Sequence, residues 1–170
     1  MERVMKLLGH SAHQVLVVFP VGLLITSVIF EMLALATGSA QFWVVSYWLI
    51  ASGLVGGLAA AVFGLLDYVR IPRRTRANRV GMLHGIGNAA VIVLFAASWW
   101  MRAAPDQTPS ANAVLLSLAG AALLLVTGWL GGELVARLSI GVDEQAHVDA
   151  PNSVQEHGVI ESTTSYRKAA

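Results

Sequence analysis

The sequence predicts an all-α integral membrane protein: a four-helix bundle of two antiparallel helical hairpins, followed by a disordered C-terminal tail. The first observation behind this prediction is composition, since 56% of the residues are hydrophobic and only 12% are charged. Soluble domains carry roughly 25% charged residues. The second is the presence of four long apolar runs, because each crossing of a bilayer core needs roughly 20 apolar residues in a helix.

The apolar runs place the spans at about 14–37, 42–66, 82–101 and 113–135, within one transmembrane domain over residues 1–138. From 139 to 170, acidic, Ser, Thr and His residues replace the apolar ones, which predicts a soluble flexible tail. A cleaved signal peptide is an alternative interpretation of the first run, because Arg3 and Lys6 precede it. The run is longer than the roughly 7 to 15 apolar residues of a signal peptide, which favours a span.

Basic residues predict the orientation, because Lys and Arg accumulate in cytoplasmic loops. With the N-terminus inside, the cytoplasmic side holds Arg3, Lys6, Arg70, Arg73, Arg74, Arg76, Arg79 and Arg137. The other side holds Arg102 alone, and Trp43, Trp99 and Trp100 then fall at the outer interface. Both termini are therefore expected in the cytoplasm. Since orientation accounts for the arginine-rich loop, the sequence predicts the lipid bilayer as a partner and no nucleic acid.

Small residues at helical spacing predict where helices approach each other closely, as packing between helices in lipid relies on such residues. Gly53 and Gly57 lie one turn apart in the second span, and Gly128 and Gly132 repeat this in the fourth. We therefore expect the second and fourth helices to touch at the centre of the bundle. A homo-oligomer formed through the same small-residue faces is the alternative.

Ionisable residues in spans are costly and mark candidate functional sites. Five of them are expected in one layer near the cytoplasmic side: His10, His13, Asp67, His84 and Glu133. Asn88 lies one turn beyond His84 on the same face. A structural interpretation stays open for each, with Asp67 facing the arginine loop and Glu133 pairing with Arg137. Glu31 is expected at the outer edge, where it snorkels to water or caps the helix.

The two hairpins resemble each other. Each begins with a histidine and ends with an acid after a glycine-rich helix: His13 and Asp67 in the first, His84 and Glu133 in the second. A duplicated helical hairpin would explain this order.

Four motifs resemble the bacterial membrane domain of unknown function 2231: residues 9–13 (GHSAH) with 18–23 (VFPVGL), 64–68 (GLLDY), His84 with Asn88, and 128–135 (GWLGGELV). The resemblance covers about residues 9–143 and implies a four-helix protein of a bacterial cytoplasmic membrane. Some members of that family are fused to a Rieske-type iron-sulfur domain, which implies electron transfer or haem.

This chain departs from the family pattern in two motifs. The first motif often reads Gly-His-Pro-Leu-His-Pro, where this chain has Ser11, Ala12 and Gln14. The last often reads Gly-Gly-His, where this chain has Glu133. The histidines at 10, 13 and 84 are retained.

These observations leave several functions open. The first is a small redox subunit that binds haem b through His10, His13, His84 and Asn88, with His13 and His84 as the leading ligand pair and a redox protein as partner. The second is a divalent-metal site made of His10, His13, Asp67, His84 and Glu133. A non-catalytic accessory or scaffold protein and a proton or ion transporter are the others. No catalytic residue is predicted, because P-loop, Gly-x-Ser-x-Gly and His-Glu-x-x-His motifs are absent.

Overall fold

The computed structural model describes residues 6–7, 10–143, 146–150 and 152. A short antiparallel pair, β1 (Lys6–Leu7) and β2 (His10–Ser11), leads directly into the first helix. Four helices follow in the described chain: α1 (Ala12–Thr37), α2 (Ala40–Tyr68), α3 (Arg76–Trp100) and α4 (Ala111–Ala136). All four are long and apolar enough to cross a membrane, so the predicted fold class is confirmed.

The helices extend beyond the predicted apolar spans, because a helix continues through the interface after its apolar part ends. The largest difference is in α3, which begins at Arg76, six residues (82 − 76) before the predicted span. Thr75 is the N-cap of α3, since its hydroxyl accepts a hydrogen bond from the backbone N–H of Asn78 at 3.0 Å. Most of the predicted tail, residues 139–170, lies outside the described residues.

The helices form a square in which α1 packs on α2, α2 on α3, α3 on α4 and α4 on α1. Consequently α1 and α3 face each other across one diagonal of the bundle. We call the end that holds the arginine-rich loop at residues 70–75 the basic end, and the other the opposite end. An apolar core fills the centre of the bundle and consists of Leu24, Ile50, Val91, Phe95, Ala121 and Leu124.

The predicted contact between α2 and α4 is wrong, because these helices occupy the other diagonal. A Cβ added at Gly53 would lie 2.7 Å from Leu24 of α1, and one at Gly57 would lie 2.6 Å from Ile92 of α3. A Cβ at Gly128 or Gly132 would meet nothing within 4 Å. The glycines of α2 therefore pack against α1 and α3, while those of α4 lie on an open face. A homo-oligomer through that face stays a prediction.

Trp43, Trp99 and Trp100 lie together at the opposite end, but they differ in surroundings. Trp43 is buried against Ala34 and Val114, and only Trp100 is strongly exposed, as an interfacial anchor must be. Trp99 is partly buried and its ring stacks on Tyr47 with centroids 5.2 Å apart.

The two hairpins repeat each other in burial pattern. Four buried positions of α1 recur 71 residues later (91 − 20), in α3 or just after its end: Pro20 and Val91, Leu24 and Phe95, Ser27 and Ser98, Glu31 and Arg102. In α2 and α4 the same offset relates Trp43 to Val114, Ser46 to Ser117 and Ile50 to Ala121. Nearer the basic end the offset becomes 67 (127 − 60), relating Ala60 to Thr127 and Asp67 to Leu134. The difference of four residues is about one turn, so the same face stays buried.

This pattern supports the predicted hairpin duplication. Because both hairpins run in the same direction, the repeats are related by a pseudo-twofold axis along the length of the bundle. Equivalent residues that touch each other must lie on this axis.

Candidate functional site

His13 of α1 and His84 of α3 meet across the diagonal of the bundle. Their ring centroids are 6.3 Å apart and the ring planes are nearly perpendicular, at 87°. They are equivalent residues of the two hairpins, since 84 − 13 gives the offset of 71. The pseudo-twofold axis therefore passes between the two rings. Both side chains are half-buried.

Each ring is held by the second helix of its own hairpin. His13 Nδ1 lies 2.9 Å from the carbonyl oxygen of Ala60, and His84 Nδ1 lies 2.9 Å from that of Thr127. A carbonyl oxygen can only accept, so in both rings Nδ1 carries the proton and donates it. In a neutral ring, Nε2 then keeps its lone pair. The fold thus fixes the same tautomer in both histidines.

Glycines leave the room in which the two rings lie. A Cβ added at Gly64 of α2 would be 2.9 Å from Cε1 of His13, and one at Gly131 of α4 would be 3.0 Å from Cε1 of His84. Gly64 and Gly131 are also equivalent positions, at the offset of 67. A side chain at Gly64 would therefore require the His13 ring to shift, and one at Gly131 would crowd the His84 ring.

Asn88 adds a polar contact on the His84 side alone. Its Nδ2 donates to the carbonyl oxygen of His84 at 3.0 Å and lies 3.1 Å from His84 Nε2. Its Oδ1 accepts from the hydroxyl of Thr127 at 3.0 Å. The equivalent position in α1 is Val17 (88 − 71), which has no polar side chain. The predicted proximity of Asn88 and His84 is thus present, and it makes the histidine pair asymmetric.

The histidine pair lies about two turns from the end of α2, although His13 itself is the second residue of α1. Ala60, which holds His13, is eight residues (68 − 60) before the end of α2, or about 12 Å at 1.5 Å per residue. Asp67 and Glu133 lie further toward the basic end. The predicted single layer of ionisable residues is therefore divided between two depths.

The acids at the basic end pair with arginines. Glu133 accepts a hydrogen bond from Arg76 at 2.5 Å, and Asp67 lies 3.8 Å from Arg70. The expected partner of Glu133 was Arg137, but Arg76 at the start of α3 reaches it across the helix interface. Asp67 faces the arginine loop, as its structural interpretation predicted.

His10 lies in β2, before α1, and its side chain is exposed. Within the described residues, no group of three or more His, Asp or Glu side chains is placed to hold one metal ion. The five residues considered for a divalent-metal site thus do not form one coordination sphere in this structure.

A second polar cluster lies on the same axis near the opposite end, and the sequence did not reveal it. Glu31 is fully buried and its Oε1 accepts hydrogen bonds from the guanidinium of Arg102 and from Ser46. Its Oε2 accepts from Ser117 at 2.5 Å. Arg102 also donates to Ser98 at 3.1 Å, so all four helices or their ends contribute to the cluster.

The expectation that Glu31 snorkels or caps its helix is wrong, because the carboxylate points into the bundle toward a buried arginine. The signal that could have shown this is the repeat: Glu31 and Arg102 are equivalent positions with opposite charge. Within the described chain, Arg102 Nε, Arg102 Nη1 and Trp99 Nε1 are buried without an acceptor. The pair is therefore neutral in total charge but incompletely hydrogen-bonded.

Comparison with known families agrees with this architecture. A family model described as a predicted membrane protein, DUF2231, matches residues 9–144. The chain belongs to the DUF2231 family. No curated protein and no solved structure matches it. The family match covers all four helices, both histidines and the Glu31–Arg102 pair, and it identifies a membrane protein of unknown function.

Proposed function

We propose that this DUF2231 protein holds one b-type haem between its two hairpins, with His13 and His84 as the residues that would bind its iron, and acts as a small electron-transfer subunit of the membrane. The observation that carries the proposal is the histidine pair on the pseudo-twofold axis, with both Nδ1 atoms bonded to backbone carbonyls. Hydrogen bonds of this kind orient ligating imidazoles and make them better ligands.

The number of available ligands favours haem over a bare divalent ion. Zinc sites take about three or four protein ligands. Within the described residues, no third His, Asp or Glu side chain joins His13 and His84 to form such a group. A haem iron needs only one or two protein ligands, which this pair would provide. His84 Nε2 lies 3.1 Å from Asn88 Nδ2, so the Asn88 amide would have to turn away when that nitrogen bound iron.

The roles of the chain follow from these contacts. His13 and His84 would bind the iron, while the Ala60 and Thr127 carbonyls orient the two rings and keep the required tautomer. When bound, haem would supply a reversible one-electron carrier inside the bilayer. A redox protein is then the expected partner.

Positive charge supports a cytoplasmic position for the basic end. In the structure the single arginine at the opposite end, Arg102, is neutralised by Glu31 inside the bundle. The imbalance of exposed basic residues between the two ends is therefore even larger than the sequence alone indicated. This supports insertion in a bacterial cytoplasmic membrane with both termini in the cytoplasm.

The test is an absorption spectrum of the full chain, expressed with haem precursor and purified in detergent, recorded beside an elemental metal analysis. We expect a Soret band with about one haem per chain. The band should be lost or strongly altered in His13→Ala and His84→Ala. His10→Ala is the matched control and should keep it, because His10 lies outside the helical bundle.

Two outcomes would contradict the haem proposal. Stoichiometric zinc, iron or manganese without a Soret band would favour the divalent-metal alternative. A folded preparation with neither haem nor metal would favour a scaffold in which the histidines serve packing alone.

A further inference from the structure

A pocket opens at the basic end, between the last turn of α2 and the first turn of α3. It has a volume of about 460 Å³. Its lining consists of Tyr68, Val69, Ile71, Arg73, Arg74 and Asn78. The pocket therefore combines two cationic side chains and an amide with an apolar wall, at the level where a membrane meets water.

The two arginines of the pocket differ from Arg70 and Arg76 in having no acidic partner among the residues that the structure describes. Arg70 lies close to Asp67, and Arg76 is bonded to Glu133. Within the described chain, no acidic side chain lies within salt-bridge distance of Arg73 or Arg74. Two positive charges thus face the pocket without a counter-charge from the described residues.

The loop that carries these arginines is held by a buried side chain and by hydrogen bonds. Ile71 is buried, and the hydroxyl of Thr75 donates to the carbonyl of Pro72 at 2.8 Å while accepting from Asn78 N–H. Arg74 adopts a left-handed backbone conformation with φ of 65°. A residue with a Cβ is strained in this conformation, so the surrounding contacts must hold it in place.

The apolar wall of the pocket continues into the membrane-facing surface of α2. Val69 lines the pocket and is 68% exposed. It ends a stripe of exposed apolar side chains along one face of the helix, formed by Val55, Leu58, Val62, Leu65 and Val69. A ligand that fits both features has an anionic head and a long apolar chain.

We propose that this pocket binds the phosphate group of an anionic phospholipid, with an acyl chain lying along the stripe on α2. Arginine binds phosphate through paired, charge-assisted hydrogen bonds. Asn78 in the first turn of α3 lines the pocket, so the positive end of the α3 dipole lies beside it and adds to the attraction for an anion. Basic pockets on the cytoplasmic side of membrane proteins favour such headgroups. The inference does not rest on haem binding.

The experiment titrates the purified full chain in detergent with dioctanoyl phosphatidylglycerol, and separately with dioctanoyl phosphatidylcholine, by isothermal calorimetry. We expect the protein to bind phosphatidylglycerol more tightly than phosphatidylcholine. The Arg73→Gln variant should bind phosphatidylglycerol about fivefold more weakly than the unaltered protein. Arg79→Gln is the matched control, because Arg79 is exposed at the same end but does not line the pocket. The affinity of this variant for phosphatidylglycerol should stay within about twofold of that of the unaltered protein.

A second variant separates the loss of a positive charge from a disturbance of the loop structure. Arg74→Gly removes the charge and suits the left-handed backbone, so it should fold and also weaken binding about fivefold. Glycerol 3-phosphate tests the source of the phosphate, since it lacks the acyl chain. Equal affinity for glycerol 3-phosphate and for the lipid would overturn the phospholipid assignment. Equal losses of affinity for phosphatidylglycerol in Arg73→Gln and Arg79→Gln would overturn the assignment of the binding site to this pocket. The absence of a preference for phosphatidylglycerol over phosphatidylcholine would overturn it as well. The absorption spectrum of each variant should be unchanged, so this test is separate from that of haem.

Discussion

The buried pair of Glu31 and Arg102 should couple the two hairpins strongly. Glu31 is fully buried and the Arg102 side chain is only 2% exposed. Removing one partner leaves a lone charge in a medium of low dielectric, which costs about 3 to 5 kcal/mol in known buried pairs. We therefore expect Glu31→Gln and Arg102→Met each to lower the free energy of unfolding by about that amount. Loss of a neutral hydrogen bond alone would cost less, about 0.6 kcal/mol on average in membrane proteins.

The double variant distinguishes attraction between the two groups from other effects. Glu31→Gln combined with Arg102→Met leaves no charge in this cluster and removes the two guanidinium nitrogens that lack acceptors. The loss in free energy of unfolding should be smaller than the sum of the losses in the two single variants, by at least about 2 kcal/mol. The assay is reversible unfolding in mixed detergent micelles, followed by helicity, for the four members of the cycle.

A second cycle at the basic end is the control. Arg76 and Glu133 form an ion pair of similar geometry, but the Arg76 side chain is 57% exposed. Their coupling should stay below about 1 kcal/mol. If the Glu31–Arg102 coupling is no larger than this control, the two charges do not stabilise the contact between hairpins and the reasoning from burial fails.

Three further predictions follow from the packing, the histidine site and the charge distribution. Gly53→Leu should lower the free energy of unfolding by about 1 to 3 kcal/mol through overpacking, while Gly128→Leu, on an open face, should leave it nearly unchanged; equal effects in thermal unfolding would contradict this packing. Gly64→Ala should displace the ring of His13 and therefore change the absorption spectrum of the haem-loaded protein at unchanged helicity, whereas an unaltered spectrum would show that the ring does not depend on this glycine. A reporter enzyme fused after Ala170 should be active in the cytoplasm, and activity on the outer side would reverse the topology.

The sequence was sufficient for the fold because the bilayer imposes a simple rule on length and apolarity. The four spans, their connections and the family follow from the apolar runs and the motifs. The common depth of His13 and His84 also follows from the sequence, since equivalent residues of a duplicated hairpin lie at the same level.

Features that depend on helix rotation could not be predicted. Gly53 and Gly128 have the same small-residue spacing, yet only one packs against a neighbour, because spacing fixes which residues share a face but not where the face points. The sequence predicts the correct end of α1 for Glu31, but the direction of its side chain depends on Arg102, which is 71 residues away (102 − 31). The Arg76–Glu133 pair likewise depends on how α3 and α4 meet.

The central claim, one haem held by both histidines, is tested most directly by low-temperature electron paramagnetic resonance of the oxidised protein with a haem-to-chain ratio from the same sample. Two imidazole ligands predict a low-spin ferric signal. We expect this signal with one haem per chain, and its loss in His84→Ala. A high-spin signal in the unaltered protein, or no haem in a folded preparation, would contradict ligation by the two histidines.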